Sequence, residues 1–130
     1  MNSDIRLVLT GLGQIAVTVI DLDRAVAFYR DVLGLKFLMQ VPGMAFFDLG
    51  GGTRLLLGLA EAGDALKRSS ILYFRVADTT EAEVALRARN VDITGPSHLV
   101  ARMPDHELWL CFFRDSETNI MALMAEKRPA

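Results

Sequence analysis

Apolar positions recur along this chain with two different periods, and the period switches at matching places in each half. Ile15-Ala16-Val17-Thr18-Val19-Ile20 is β-branched and apolar, the composition of a buried strand. Asp21 stops that run and can cap a helix with its side-chain oxygen. Leu22, Ala25, Val26, Tyr29, Val32 and Leu33 then fall at three- and four-residue intervals, the apolar stripe of an amphipathic helix. Asp23, Arg24, Arg30 and Asp31 take the other side, and Gly34 stands where a helix C-terminus favours glycine. Three short strands are expected next, over 36–41, 44–49 and 53–59, punctuated by Pro42-Gly43 and by Gly50-Gly51-Gly52.

Residues 60–70 lack strand alternation and read as a crossover that includes a helical turn. The plan then repeats. A strand is expected over 71–76, and Asp78 with Glu81 has the spacing of a capping box. Ala82, Ala85 and Leu86 carry a helix to about Asn90. A strand over 91–94 should break at Gly95-Pro96, with extension resuming over 98–103. Pro104-Asp105 turns, 107–113 runs back, 115–119 is a polar turn, and 120–125 is the last strand. Val19, Asp21, Ala25 and Arg30 recur 57 residues later as Val76, Asp78, Ala82 and Arg87. Phe46-Phe47 and Leu57 recur 66 residues later as Phe112-Phe113 and Leu123. Two offsets in the right order along matching elements point to one unit written twice. The expected fold is therefore α+β, a single domain over 1–130, with βαβββ modules over about 12–59 and 71–126.

Composition adds limits. With 130 residues, 52% hydrophobic and 23% charged, the chain can bury a core unaided by disulfides, and its one cysteine, Cys111, excludes an internal bridge. A net charge of −2 with no basic stripe argues against nucleic acid as a partner. No run approaches the roughly 18 apolar residues of a membrane span, and the first residues do not form a secretory signal. Those features give an expectation of a cytoplasmic protein without a membrane partner.

The stretch Gln14-Ile-Ala-Val-Thr-Val-Ile-Asp-Leu-Asp-Arg-Ala-Val-Ala-Phe-Tyr-Arg-Asp-Val-Leu-Gly-Leu35 resembles the opening module of the vicinal-oxygen-chelate superfamily. That group includes glyoxalases, bleomycin-resistance proteins, fosfomycin-resistance enzymes and extradiol dioxygenases. The run from Phe113 through Asp115 and Asn119 to Ile120 resembles its closing phrase, with Ser116 and Thr118 replacing the usual proline and glycine. The resemblance implies tandem βαβββ modules in a curved, half-open mixed sheet, a small molecule on the concave face, and a homodimer.

Metal-using relatives place ligands on the first and last strand of each module. The resemblance carries those places onto Gln14, Leu56, Ile71 and Ala122, and the internal offsets agree: 14 plus 57 is 71, and 56 plus 66 is 122. A divalent metal needs imidazole, carboxylate, thiolate or amide oxygen donors. Only Gln14 offers one, so the usual metal site is expected to be missing, with no cofactor in its place.

Alternation along the strands then fills the same face. It adds Arg54, Tyr73, Arg75 and Met124 to Gln14, giving an apolar floor with a few polar handles, the common form of a ligand site. Those polar residues could equally line a rim. A second candidate set lies in the segment with His98, Asp105, His106 and Glu107, where a carboxylate beside His106 could orient its ring as a general base. The expected function is a metal-free binder of a partly apolar ligand. The alternative is a lyase, isomerase or dioxygenase-type enzyme using that second set. Trp109 and the Cys111 thiol read as packing residues.

Overall fold

The computed structural model describes residue 7, residues 10–61 and residues 70–129. Most of the expected crossover lies outside these residues. Among the described residues no helix is long and apolar enough to cross a membrane.

The first module runs β1 (Gln14–Val19), α1 (Leu22–Ala27), β2 (Lys36–Val41), β3 (Met44–Gly50) and β4 (Thr53–Leu59). The second runs β5 (Tyr73–Arg75), α2 (Thr79–Ala88), β6 (Asp92–Arg102), β7 (Glu107–Arg114) and β8 (Ile120–Lys127). Each module builds its own four-stranded sheet, in the orders β1-β4-β3-β2 and β5-β8-β7-β6. In both, the first and last strands pair in parallel and the rest antiparallel. The repeat seen in the sequence is thus a repeat of topology.

Helix starts follow the expected chemistry. Asp21 accepts a hydrogen bond from the Arg24 N–H at 3.0 Å, and Asp78 accepts from Thr80 and Glu81 at 2.8 and 3.1 Å. The capping box is half made. Among the described residues the Glu81 side chain does not accept the Asp78 N–H in return, and the second Asp78 carboxylate oxygen meets the Lys127 ammonium at 3.4 Å. After Ala27 the helix widens into a π-helical turn, Phe28–Val32, closed by the Leu33 N–H to the Phe28 carbonyl at 3.0 Å. Gly34 then takes φ +73°, the left-handed conformation expected of a helix-ending glycine.

β3, β7 and β8 run one or two residues beyond the expected ends, and three other strands differ more. Ile20 lies beyond β1 and is exposed. β5 itself covers only Tyr73–Arg75 of the expected 71–76, while its hydrogen bonds to β8 run from the Leu72 carbonyl, which accepts the Ala122 N–H at 2.9 Å, to the Val76 N–H, which donates to the Met124 carbonyl at 2.8 Å. β6 runs unbroken through Gly95-Pro96. It too is an edge strand, where a proline without an N–H leaves no ladder bond unmade, and its pairing with β7 slips at Ile93/Gly95, Gly95/His98 and Leu99/Ala101.

Alternate residues of every inner strand face the helices. Val17, Val19, Tyr29, Phe47, Leu55 and Leu57 of the first module join Cys111, Phe113, Met121 and Leu123 of the second in one apolar cluster. Fully burying such a side chain is worth about 1.5–3 kcal/mol. The turn between β7 and β8 fastens the modules. Asp115 accepts from the Tyr29 hydroxyl at 2.7 Å, and the Asn119 amide donates to the Thr18 carbonyl at 3.0 Å. Glu117, 2% exposed, receives the backbone N–H groups of Ile20 and Asp21 at 2.8 and 2.7 Å.

Candidate functional site

The faces turned away from the core carry the candidate chemistry. On the first sheet Gln14 lies opposite Arg54, Ala16 opposite Leu56, and Phe46 opposite Leu56. The Arg54 guanidinium sits over the Phe46 ring, 5.8 Å from its centre, an attraction of about 0.5–1 kcal/mol at an exposed site. On the second sheet Tyr73 lies opposite Ala122 and Arg75 opposite Met124. Phe112 and Leu110 of β7 continue those two rows, and Gly95 and His98 of β6 complete them.

Of the five expected ligand-contacting residues, then, Gln14 and Arg54 are neighbours on one sheet, and Tyr73, Arg75 and Met124 are neighbours on the other. No hydrogen bond, ion pair or ring contact joins the two sets among the described residues. Tyr73 and Arg75 also line a cleft of about 840 Å³ between the modules, walled by Leu12, Ile15, Leu49 and Leu123.

The register bears on the family's metal positions. Gln14 lies two residues before the partner of Leu56, and Ile71 two residues before the partner of Ala122. The two modules thus place these positions on one diagonal. The side chains along it are one amide and three hydrocarbons, and Ala122 is fully buried. They do not fit a divalent metal. Among the described residues no group of three or more His, Cys, Asp and Glu side chains is arranged to hold one.

The second candidate set divides. His98 lies on β6 opposite Leu110 and stacks on Phe112, with ring centres 6.4 Å apart. His106 sits beyond the end of that strand, its side chain 15% exposed. Its Nδ1 lies 2.7 Å from Asp105 and its Nε2 3.5 Å from Glu126, so carboxylates face both ring nitrogens. Glu126 also meets Arg75 at 3.4 Å, linking this cluster to the sheet face. Hydrogen bonds from Arg128 first and His106 second outweigh partial desolvation and hold the Asp105 carboxyl at about 2. Glu107 is taken up by Arg102 and the Trp109 indole, both at 3.3 Å. Cys111 is fully buried, and burial pushes its thiol pKa up, the opposite of an activated nucleophile.

His98 as a sheet-face residue escaped because alternation counted from Gln14, Leu56, Ile71 and Ala122 reaches only their own strands; on β6 the bulges would in any case change its parity. Glu117 escaped because its partners are 93 to 97 residues away.

The chain matches the family model of the Glyoxalase/Bleomycin resistance protein/Dioxygenase superfamily over residues 11–115, and it belongs to that family. Metallothiol transferase FosB of Staphylococcus epidermidis is 24% identical over 115 residues, covering 87% of this chain. The matched region spans 65% of that relative's length. A glyoxalase/bleomycin resistance protein/dioxygenase from Nocardioides superposes with a TM-score of 0.73 at 21% identity, covering 98% of this chain and 93% of its own. TnmS3, an antibiotic binding protein from Streptomyces sp. CB03234, gives 0.68 at 21% identity, covering 95% and 100%. At these identities the structural likeness establishes the fold.

Proposed function

We propose that this chain binds a small, partly apolar organic molecule on its concave sheet surface without a divalent metal, as a homodimer. The observation that carries the reading is the donor set on the family's metal diagonal: Gln14, Leu56, Ile71 and Ala122. One amide oxygen does not compete with water for a divalent ion. What remains on that face is hydrocarbon and aromatic surface, including Leu56, Phe46, Phe112 and Met124, with Gln14, Arg54, Tyr73 and Arg75 as polar handles. That mixture suits a ligand with an apolar body and a few polar groups.

The reading parts from the activity in the name of the staphylococcal relative, a metallothiol transferase, and agrees with the name of the Streptomyces structure, an antibiotic binding protein. It is tested with 8-anilinonaphthalene-1-sulfonate as the probe. Saturable fluorescence enhancement, unchanged by EDTA and lost in Met124→Lys, is the expected result. Enhancement that requires zinc, nickel or manganese would overturn it, as would wild-type protein that does not bind the dye.

A further inference from the structure

Phe112 is the centre of an aromatic row on the second sheet. Tyr73 meets its ring edge-on, with centres 6.2 Å apart and planes at 76°. His98 lies nearly parallel to it, at 6.4 Å and 28°. The row is seated on small residues. Ala122 pairs with both Tyr73 and Phe112, and Gly95 lies opposite Phe112 on the edge strand. A Cβ at Gly95 would stand 3.2 Å from Cδ2 and 3.3 Å from Cβ of Phe112. A side chain at position 95 would therefore crowd the phenyl group, which would have to give by a few tenths of an ångström. Gly95 does not have a left-handed φ, so close approach is what a side chain there would violate.

His98 has a defined donor arrangement. Its Nδ1 is 2.7 Å from the Pro96 carbonyl oxygen, which can only accept, so Nδ1 carries the hydrogen in that bond. In the neutral ring Nε2 then holds the lone pair. Among the described residues no hydrogen bond is made to Nε2, and the His98 residue is exposed.

We propose that Phe112 and Tyr73 pack, face and edge, against a flat, fused aromatic molecule carrying an N–H or O–H donor, which lies beside the His98 ring and donates in its plane to Nε2. The proposal rests on the metal-free cup and gives its ligand class. Flat rings gain from offset stacking on a fixed aromatic, and tolerate many ring types. The hydrogen bond supplies discrimination, about tenfold for one neutral bond.

The test compares indole with 1-methylindole, which keeps the ring and lacks the donor, followed by titration of the amide resonances of the protein. Wild type should bind indole about tenfold more tightly, with the largest shifts at Gly95, Phe112 and Ala122. His98→Phe keeps an aromatic ring and removes the acceptor, and should bring indole down to the affinity of 1-methylindole. Gly95→Val should weaken both probes together while the spectrum stays that of a folded protein. A preference for indole that survives in His98→Phe overturns the proposal and leaves the metal-free cup standing. Wild type that binds neither probe also overturns it. Indole binding that appears only after zinc or manganese is added overturns the metal-free cup as well.

Discussion

Arg24 and Glu117 lie 93 residues apart and are joined by a two-point ion pair, Nε to Oε2 at 2.7 Å and Nη2 to Oε1 at 3.1 Å. The arginine is half-exposed, whereas the Glu117 side chain is sealed from solvent. Burial alone would raise the Glu117 pKa. Hydrogen bonds from Arg24, the Asp21 N–H, the Ser116 hydroxyl and the Ile20 N–H outweigh it and hold the carboxyl at about 2. This turn helps to fasten the modules, so the charge state of Glu117 contributes to the stability of the fold.

A carboxyl with a depressed pKa stabilises the fold fully above its unfolded value, near 4.5, and loses that contribution as pH falls towards 2. A shift from about 4.5 to about 2 corresponds to roughly 3 kcal/mol. Glu117→Gln should therefore be destabilised by about 2–3 kcal/mol at neutral pH in urea unfolding. Its stability should also fall less steeply than that of wild type between pH 4.5 and 2. Parallel curves for the two proteins over that window would contradict the assignment.

The Tyr29 phenol is fully buried and donates to Asp115. Burial first, and the Asp115 charge second, push its pKa well above the ordinary value of 10. In a Tyr73→Phe background, phenolate absorbance should appear only as the protein unfolds in alkali, and stability should fall as pH rises beyond 10, where unfolded tyrosine ionises. Tyr29→Phe should cost about 1–2 kcal/mol, because Asp115 loses a donor. Reversible titration of Tyr29 near pH 10 in folded protein would refute this.

His106 faces Asp105 and Glu126 and belongs to the tie between the β6–β7 turn and the C-terminal strand. His106→Ala should lower stability by about 1 kcal/mol or less, as expected for the loss of polar side-chain contacts in a partly exposed cluster. It should leave dye binding to the sheet face within about twofold. A tenfold loss of binding, or loss of a measurable turnover in this variant, would favour the second candidate set as the working site.

The fold could be read from the sequence because its signals are local. Asp21 and Asp78 stop strands and cap helices at equivalent places, and Phe47 and Phe113 alternate into the core at equivalent places. The mismatch on the metal diagonal was equally visible once the module offsets aligned Gln14 with Ile71 and Leu56 with Ala122. What stayed hidden depends on contacts distant in sequence. Nothing near Glu117 announces that its partners are Arg24, Ile20 and Asp21. Simple alternation also fails on β6. Its bulges turn His98 onto the Phe112 face, and its edge position lets Pro96 sit inside a strand that the sequence pattern would break there.

The positions that hold a metal in metal-using relatives carry one amide and three hydrocarbons here, and the metal content of the protein is the measurement that bears on this. The untagged protein would be purified without chelator and analysed by plasma mass spectrometry beside an EDTA-treated control. Trace metal, no higher than in the control, is the expected result. Near-stoichiometric zinc, iron, nickel or manganese, removed by EDTA, would contradict it and direct attention to His98, Asp105, His106 and Glu107.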